Sequence, residues 1–264
     1  MEEKKKTTKK VTKDIREKQL EKAFNEKQII QGKVVKIDEK LNLIVDLGNN
    51  IKAIMPRDEI TLLKDENGLV SENYIYNRQG KIIKCKITEK LEDSEYKYVV
   101  SKKSVEIDSR KWMQNNLKEG MVVYGRVRGL QPYGVFVEIL EGVTGLLHIE
   151  DISVARTRHP SERFSMGEKI KVVIKDFDRD TGKIVLSHKE LLGTWEENAE
   201  LFEKGTEVWG IAREREKNGI FVELKPNLVG LAEHKSGVEY GQKVLVYIKK
   251  IVPEKQRIKL VIVG

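Results

Sequence analysis

The chain has 264 residues, of which 35% are charged and 39% hydrophobic, and this length allows about two domains or three small ones. No apolar stretch approaches the ~18 residues of a membrane span, and the charged N-terminus lacks the apolar core of a secretory signal. The single cysteine, Cys85, excludes an intramolecular disulfide and is typical of a cytoplasmic protein. The formal net charge of +8 indicates a polyanionic partner, nucleic acid before a membrane surface.

The first 28 residues form a basic tail, whose ten Lys and Arg against six Asp and Glu supply half of the net charge. A loose apolar stripe at helical spacing runs along it: Val11, Ile15, Leu20 and Phe24. Asp14 and Lys18 are a favourable i,i+4 pair. Two interpretations remain open, namely a solvated arm that is helical or disordered, or a helix that docks on a folded neighbour.

The rest of the chain contains internal repeats, which we number as copies one to three. Copies two and three match in three pairs of segments: 120–127 with 205–212, 133–139 with 218–224, and 167–174 with 241–248. The offset falls from 85 to 74 before the last pair, so copy three has lost eleven residues from the loop around 150–165. A weaker copy one precedes them, with matching segments at 32–37, 80–87 and 99–103.

Each copy contains five short runs with the period-two alternation of a half-buried strand, punctuated by glycines. In copy two, for example, Ile170, Val172 and Ile174 alternate with Lys169 and Lys171. Five strands in about 70 residues are typical of a small antiparallel OB-fold barrel. The sequence therefore predicts an all-β chain of three tandem five-stranded OB-fold barrels, over residues 29–104, 117–189 and 203–264.

Short helical connectors are predicted between the barrels. Between copies two and three, Trp195, Ala199 and Phe202 fall at i, i+4 and i+7 within 190–202. Segment 105–116, with Trp112, takes the same place between copies one and two.

Copy two holds the candidate binding site. Tyr133 and Phe136 are three residues apart, which on a regular strand places them on opposite faces, but Gly134 permits a bulge or a sharp bend that turns both rings to one side. Exposed rings on an OB barrel can stack nucleobases. The structural alternative, with Phe136 in the core and Tyr133 merely on the surface, fits the spacing equally well.

Three further side chains of copy two fit a nucleic-acid site. His148 can add a ring or a hydrogen bond, while Asp178 and Lys183 flank a tight turn. A lysine there can contact phosphate, and an aspartate can accept from a base edge or a 2′-hydroxyl.

Several motifs of copy two occur together in a fixed order: Gly120-Met-Val-Val-Tyr-Gly-Arg-Val127, Tyr133-Gly-Val-Phe-Val137, Gly145-Leu-Leu-His-Ile149, Gly167-Glu-Lys-Ile-Lys-Val172, Asp178 and Lys183-Ile-Val-Leu-Ser187. As a set they resemble the S1 RNA-binding domain, an OB-fold repeat of the largest small-subunit ribosomal protein and of several ribonucleases. The resemblance implies a surface for single-stranded RNA formed by Tyr133, Phe136, His148, Asp178 and Lys183. The family usually has Phe at the first of these positions and Arg at the last. The basic loop with Arg156 and Arg158 is expected to add contacts to the RNA backbone.

Copies three and one depart from the family's motif. In copy three only Phe221 and Arg257 match, because Asn218, Glu233 and Val252 replace the first aromatic, the His and the Asp, so we expect weaker RNA binding there. Copy one has Asn42-Leu-Ile44 where aromatics belong and Ala53-Ile-Met-Pro56 in place of the His motif. It resembles the first repeats of ribosomal S1 proteins, which implies contacts with protein on the ribosome.

No motif of the sequence indicates catalysis. Four histidines (His148, His159, His188 and His234) and one cysteine show no metal-ligand spacing. There is no phosphate-binding glycine loop and no Ser–His–Asp order. We therefore expect no enzyme activity, no catalytic residues, no metal and no cofactor.

The sequence is interpreted as a monomeric, cytoplasmic chain that binds single-stranded RNA, with messenger RNA and the small ribosomal subunit as partners and no membrane association. It resembles a short bacterial ribosomal S1 protein. Two alternatives remain: a regulator or accessory of RNA decay, and a scaffold whose barrels bind only protein.

Overall fold

The protein is a chain of small β-barrels. The computed structural model describes residues 2–92 and 94–263, and in the first helix it describes side chains from Asp14 onwards. Within these residues there are three closed five-stranded barrels, which confirms the predicted all-β, OB-type architecture. The chain divides into two compact units: one runs up to Asn115 and includes Glu141–Val143, and the other comprises Asn116–Leu140 and Thr144 onwards.

The first unit contains barrel one. Its strands are β1 (Ile30–Ile37), β2 (Leu43–Asp46), β3 (Lys52–Met55), β4 (Ile82–Lys90) and β5 (Tyr98–Ser101), hydrogen-bonded in the closed order β1-β2-β3-β5-β4. Its helices are α1 (Glu2–Asn25), α2 (Glu72–Tyr76) and α3 (Lys103–Asn116), the last of which lies in the predicted connector.

The basic tail forms α1, which docks on barrel one. Leu20 and Ala23 are buried, and Leu20 joins the core of the barrel. Arg16 donates from Nε to the carbonyl of Leu47 at 2.8 Å, and Lys90 of β4 pairs with Glu21 at 2.9 Å. Of the rest of the predicted stripe, Phe24 packs against the core, Ile15 is exposed and the side chain of Val11 lies outside the described residues.

The second unit contains barrels two and three. Barrel two comprises β6 (Val122–Gln131), β7 (Gly134–Leu140), β8 (Val143–His148), β9 (Lys169–Phe177) and β10 (Ile184–Ser187). Barrel three comprises β11 (Glu207–Glu216), β12 (Gly219–Lys225), β13 (Leu228–Ala232), β14 (Lys243–Val252) and β15 (Arg257–Ile262). Both barrels repeat the strand order of barrel one.

The alternation of apolar and polar residues in the sequence matches the alternation of buried and exposed side chains in the strands. On β9, Ile170, Val172 and Ile174 are buried while Lys169 and Lys171 are exposed. The connector before barrel three forms the short helix α4 (Trp195–Ala199), which is shorter than the predicted segment. Ala199 is buried in the core of barrel three, with Trp195 and Phe202 packed against that core. None of the helices in the described part of the chain is long and apolar enough to span a membrane.

One glycine recurs at the same place in each barrel, where its first strand crosses the second. A Cβ at Gly125 would lie 2.3 Å from Cγ1 of Val137, inside van der Waals contact. At Gly32 and Gly210 the corresponding distances are 2.4 Å to Val45 and 2.5 Å to Val222. A side chain at this position would push the two strands apart, so the repeated glycine is a requirement of barrel closure.

The loop that copy three lacks packs against barrel three. The amide of Ala155 donates to the carbonyl of Pro226 at 2.8 Å, and the amide of Val154 donates to the side-chain oxygen of Asn227 at 3.1 Å. Asn227 in turn donates to the carbonyl of Lys189 at 2.7 Å. These hydrogen bonds join barrels two and three into the second compact unit.

Candidate nucleic-acid interface

An aromatic pair stands at the tip of the β6–β7 hairpin. The rings of Tyr133 and Phe136 are 6.2 Å apart between centroids and almost perpendicular, in an edge-to-face contact. Tyr133 is 52% exposed, and Phe136 is half-buried, on the outer side of the alternation of β7. The geometry therefore favours an accessible pair over the alternative in which Phe136 lies in the core.

The backbone brings these rings together without the expected bulge at Gly134. The register shift lies instead on β6, between Val127 and Gly129. Gly134 is required for a different reason, because a Cβ there would lie 2.4 Å from the carbonyl oxygen of Leu147 on β8. That close approach sets the end of β8 directly beside the aromatic pair.

His148 ends β8 at this edge of the barrel. Its side chain is exposed, and a Cβ on Gly134 would lie 3.2 Å from its Cα. The next amide, that of Ile149, donates to the carbonyl of Tyr133 at 3.0 Å. The structure thus places Tyr133, Phe136 and His148 in one neighbourhood, as the resemblance implies.

Asp178 and Lys183 lie in the turn between β9 and β10, at some distance from that neighbourhood. Strand β10 pairs in parallel with β8, with Val185 opposite Leu146, so Lys183 and His148 are separated by about 13 Å along the strands. Both Lys183 and Asp178 are exposed and can be reached by a ligand that runs along this surface.

The Asp178 carboxylate also stabilises its own turn. It accepts hydrogen bonds from the amides of Asp180 and Thr181, at 2.9 and 3.1 Å, and from the Thr181 hydroxyl at 2.5 Å. The bond from the Thr181 hydroxyl is the main reason that the pKa of Asp178 lies below its ordinary value. The turn therefore holds the carboxylate in a fixed orientation at the surface.

The two arginines of the loop are placed near barrel three. Arg156 pairs with Glu214 of β11 at 2.6 Å but its side chain is 75% exposed. The guanidinium of Arg158 lies over the ring of Tyr240, 3.8 Å from the ring centroid. Both groups remain at a surface where they can meet phosphate, and both also contact barrel three.

In barrel three, the two residues that match the motif are separated. Phe221 lies half-buried on β12 and lines a cavity of about 250 Å³ together with Arg156. Arg257 begins β15 and is exposed. Asn218 and Glu233 supply no ring beside Phe221, so this barrel lacks the aromatic pair of barrel two.

Three exposed groups near these surfaces were not predicted from the sequence. Arg128, the extra residue at the register shift of β6, holds Glu138 through two nitrogens at 2.8 and 2.5 Å. Tyr124 and Trp209 occupy equivalent positions on β6 and β11 and are both exposed. Lysine amines lie over both rings, Lys169 at 4.6 Å from the Tyr124 centroid and Lys243 at 4.9 Å from the Trp209 centroid. The repeat offsets of 85 and 74 pair these residues and are a signal that could have found them.

The arrangement in barrel two can stack bases and contact phosphate. Among the described residues, no group of three or more His, Cys, Asp or Glu side chains is placed to hold a metal ion. The chemistry available at this surface is binding by rings, hydrogen bonds and positive charge.

Barrel two matches a known family of RNA-binding domains. Residues 116–189 match the family described as the S1 RNA binding domain, which confirms the resemblance predicted from the motifs. The chain is 31% identical over 257 residues to small ribosomal subunit protein bS1 of Staphylococcus aureus, a match that covers 91% of this chain and 63% of that protein. It is 35% identical over 180 residues to the bS1 protein of Rickettsia conorii, covering 61% of this chain and 31% of the relative. The chain therefore spans less than two thirds of the length of these relatives.

Among solved structures, the chain is similar to GSP13 from Bacillus subtilis, with 34% identity over 29% of this chain and 58% of that one. The TM-score of 0.28 is too low for this likeness to add to the argument.

Proposed function

We propose, from the S1 RNA-binding domain that residues 116–189 form, that the chain binds single-stranded RNA through barrel two. The observation that carries the proposal is the accessible edge-to-face pair of Tyr133 and Phe136 beside exposed His148. Every base has a π-face, so rings of this kind bind RNA with little sequence preference, at about 1–3 kcal/mol per stacked base. Lys183, Asp178 and the basic loop add phosphate and hydroxyl contacts.

In the proposed mechanism the protein captures RNA and does no chemistry on it. Barrel two binds a few bases and their phosphates, and barrel three raises the affinity because the connector keeps it close. The similarity to bS1 proteins supports the small ribosomal subunit as the partner. Messenger RNA as the ligand and a monomer in the cytoplasm as the working form are part of the same proposal.

Barrel one is proposed to contact protein. The counterparts of the aromatic pair fall at Asn42-Leu-Ile44, where Leu43 and Ile44 are buried and no ring is offered. Exposed apolar side chains lie elsewhere on this unit, among them Leu63, Tyr76 and Ile82. Barrel one thus offers a partner exposed apolar side chains but no aromatic pair at this position.

The test is binding of a fluorescent single-stranded RNA of about 15 nucleotides, a length suited to OB folds, to the full chain. The double variant Tyr133→Ala with Phe136→Ala is expected to bind at least tenfold more weakly, since about 1.4 kcal/mol corresponds to a factor of ten. Tyr76→Ala is the matched control, because Tyr76 is equally exposed, at 53%, but belongs to the first unit. Unchanged affinity in the double variant would refute the stacking surface.

Ribosome association is tested separately, by co-sedimentation of the full chain with purified small subunits. If barrel one supplies protein contacts, the double variant still sediments with the subunits although its RNA affinity has fallen. Absence of the unaltered chain from the subunit fraction would contradict the ribosomal proposal and favour the role in RNA decay.

A further inference from the structure

An open groove runs along the junction of barrels two and three within the second compact unit. It has a volume of about 610 Å³, within the range of small-ligand sites, and we call it the inter-barrel groove. Its lining includes Ile149, Arg156, Thr157 and Arg158 from barrel two and Tyr240 from barrel three. Arg156, Thr157 and Arg158 lie in the loop around 150–165, which is eleven residues shorter in copy three.

One backbone hydrogen bond links the groove to the aromatic site. Ile149 lines the groove and its amide donates to the carbonyl of Tyr133 at 3.0 Å, so the two features share a stretch of backbone. The groove also leads onward to the 250 Å³ cavity lined by Phe221, because Val154, Arg156 and Glu214 line both. The groove and this cavity therefore extend from Ile149, which is bonded to the backbone of Tyr133, to Phe221 of barrel three.

The chemistry of the groove fits a nucleotide. Arg156, Arg158 and Lys189 supply three cations against the carboxylates of Glu150 and Glu214. Lys189 is held by Asp151 at 2.7 Å, whereas Arg156 is bound to Glu214 only by a surface ion pair. Such pairs are weak, so Arg156 can turn to a phosphate at little cost.

We propose that the inter-barrel groove is a second RNA subsite, which takes the nucleotides that follow those held by Tyr133 and Phe136. Arg156 and Arg158 bind phosphate, and Phe221 stacks a base in the adjoining cavity. One RNA strand thus crosses from barrel two to barrel three. This inference rests on the proposed function, because it assumes RNA at the aromatic site.

The test compares the binding of two single-stranded RNAs to the full chain, one of about four nucleotides and one of about 12, lengths that bracket the site of one OB fold. The double variant Arg156→Gln with Phe221→Leu is expected to lose about tenfold in affinity for the longer RNA and nothing for the shorter.

Glu214→Gln is the matched control. It breaks the same ion pair as Arg156→Gln but leaves the arginine free, so RNA binding is expected to stay equal or become tighter. A loss in Glu214→Gln equal to that in the groove variant would assign the effect to the junction of the barrels and overturn the subsite.

The two proposals fail in different ways. Equal affinity of the unaltered chain and the groove variant for the longer RNA overturns the groove alone. Failure of the unaltered chain to bind either RNA, or binding that ignores Tyr133→Ala with Phe136→Ala, overturns the aromatic site.

Discussion

Arg213 of β11 donates from Nε to a carboxylate oxygen of Glu223 on β12, 2.6 Å away, and both side chains are buried. Arg163, from the loop of barrel two, reaches the same oxygen at 2.6 Å, and Arg213 also bonds Glu162 of that loop at 2.6 Å. Burial alone would lower the pKa of Arg213, but the interactions with Glu223 and Tyr240 together outweigh it and raise the pKa above its ordinary value. The cluster holds the groove loop against barrel three.

Replacing Arg213 by Met is expected to destabilise the second unit. The substitution leaves the buried Glu223 carboxylate with Arg163 as its remaining partner, so we expect the lower end of the roughly 3–5 kcal/mol found when a buried ion pair loses one member. Urea unfolding of the full chain measures the loss. Arg215→Met is the control, because Arg215 is exposed and its loss should stay within about 0.5 kcal/mol. Equal effects in the two variants would contradict the structural role of Arg213.

The recurring glycine of the barrels predicts a coupling between Gly125 and Val137. Gly125→Ala forces a Cβ against Val137 and should cost about 1–3 kcal/mol, while Val137→Ala should cost about 2 kcal/mol through the lost methyl groups. Because the second substitution removes the clashing atom, the double variant should cost less than the sum, by at least about 0.5 kcal/mol. Unfolding midpoints of the four proteins measure this difference.

The control is a second double-mutant cycle, in which Gly125→Ala is combined with Val135→Ala. Val135 is also fully buried on β7, but Val137, Glu138 and Ile139 supply the atoms nearest to a Cβ at Gly125. Its cost should therefore add to that of Gly125→Ala. Additivity in both cycles would contradict the steric account of the glycine.

The barrels were predictable from the sequence because their determinants are local. The alternation of Ile170, Val172 and Ile174 with lysines reports which face of a strand is buried, whatever lies across the barrel. The pairing of Arg156 with Glu214, and of Arg158 with Tyr240, depends instead on residues 58 and 82 positions away. No local pattern specifies such partners, so the loop was expected to face RNA alone.

The candidate site, too, was predictable only where its determinants are local. The motifs placed Tyr133, Phe136 and His148, but the spacing could not decide whether Phe136 was in the core, because the bulge lies on the neighbouring strand β6. Asp178 and Lys183 were predicted to flank a tight turn, and the bonds of Asp178 within that turn agree with the preference of Asp for turns.

The lysine partners of Asp151 predict a contribution to stability that is lost in acid. Its carboxylate is buried, which raises the pKa, but hydrogen bonds from Lys175 and Lys189 outweigh burial and hold the pKa below the ordinary 3.8. Because the folded pKa is below the unfolded one, the stabilisation is complete above about pH 4 and is lost as the pH falls through the lowered folded value.

Asp151→Asn should therefore reduce stability at about pH 6 and differ less from the unaltered chain at about pH 3. Urea midpoints at the two pH values measure this change. Asp176→Asn, at an exposed carboxylate on β9, is the control. A difference between Asp151→Asn and the unaltered chain that does not narrow toward low pH would contradict the assignment.

The burial of Cys85 predicts that its thiol is unreactive in the native chain. It is buried in barrel one, and burial raises the pKa of the thiol from 9.0 to about 12. Since the thiolate is the reactive form, this shift lowers its population at about pH 8 about a thousandfold. Iodoacetamide should modify the native chain only when barrel one opens, and should modify the chain promptly in guanidinium chloride. Fast alkylation of the native chain would contradict the burial.

The same reaction tests whether α1 is part of the barrel. Leu20 shares the hydrophobic core with Cys85, so Leu20→Ala removes core packing at a cost of about 2 kcal/mol or more. If opening limits the reaction, alkylation of Cys85 should accelerate by about 30-fold or more, because 1.4 kcal/mol corresponds to a factor of ten. Ile15→Ala, at an exposed position of α1, should leave the rate unchanged. Equal rates in the Leu20 and Ile15 variants would mean that the helix is a dispensable arm, and that barrel one protects its cysteine without it.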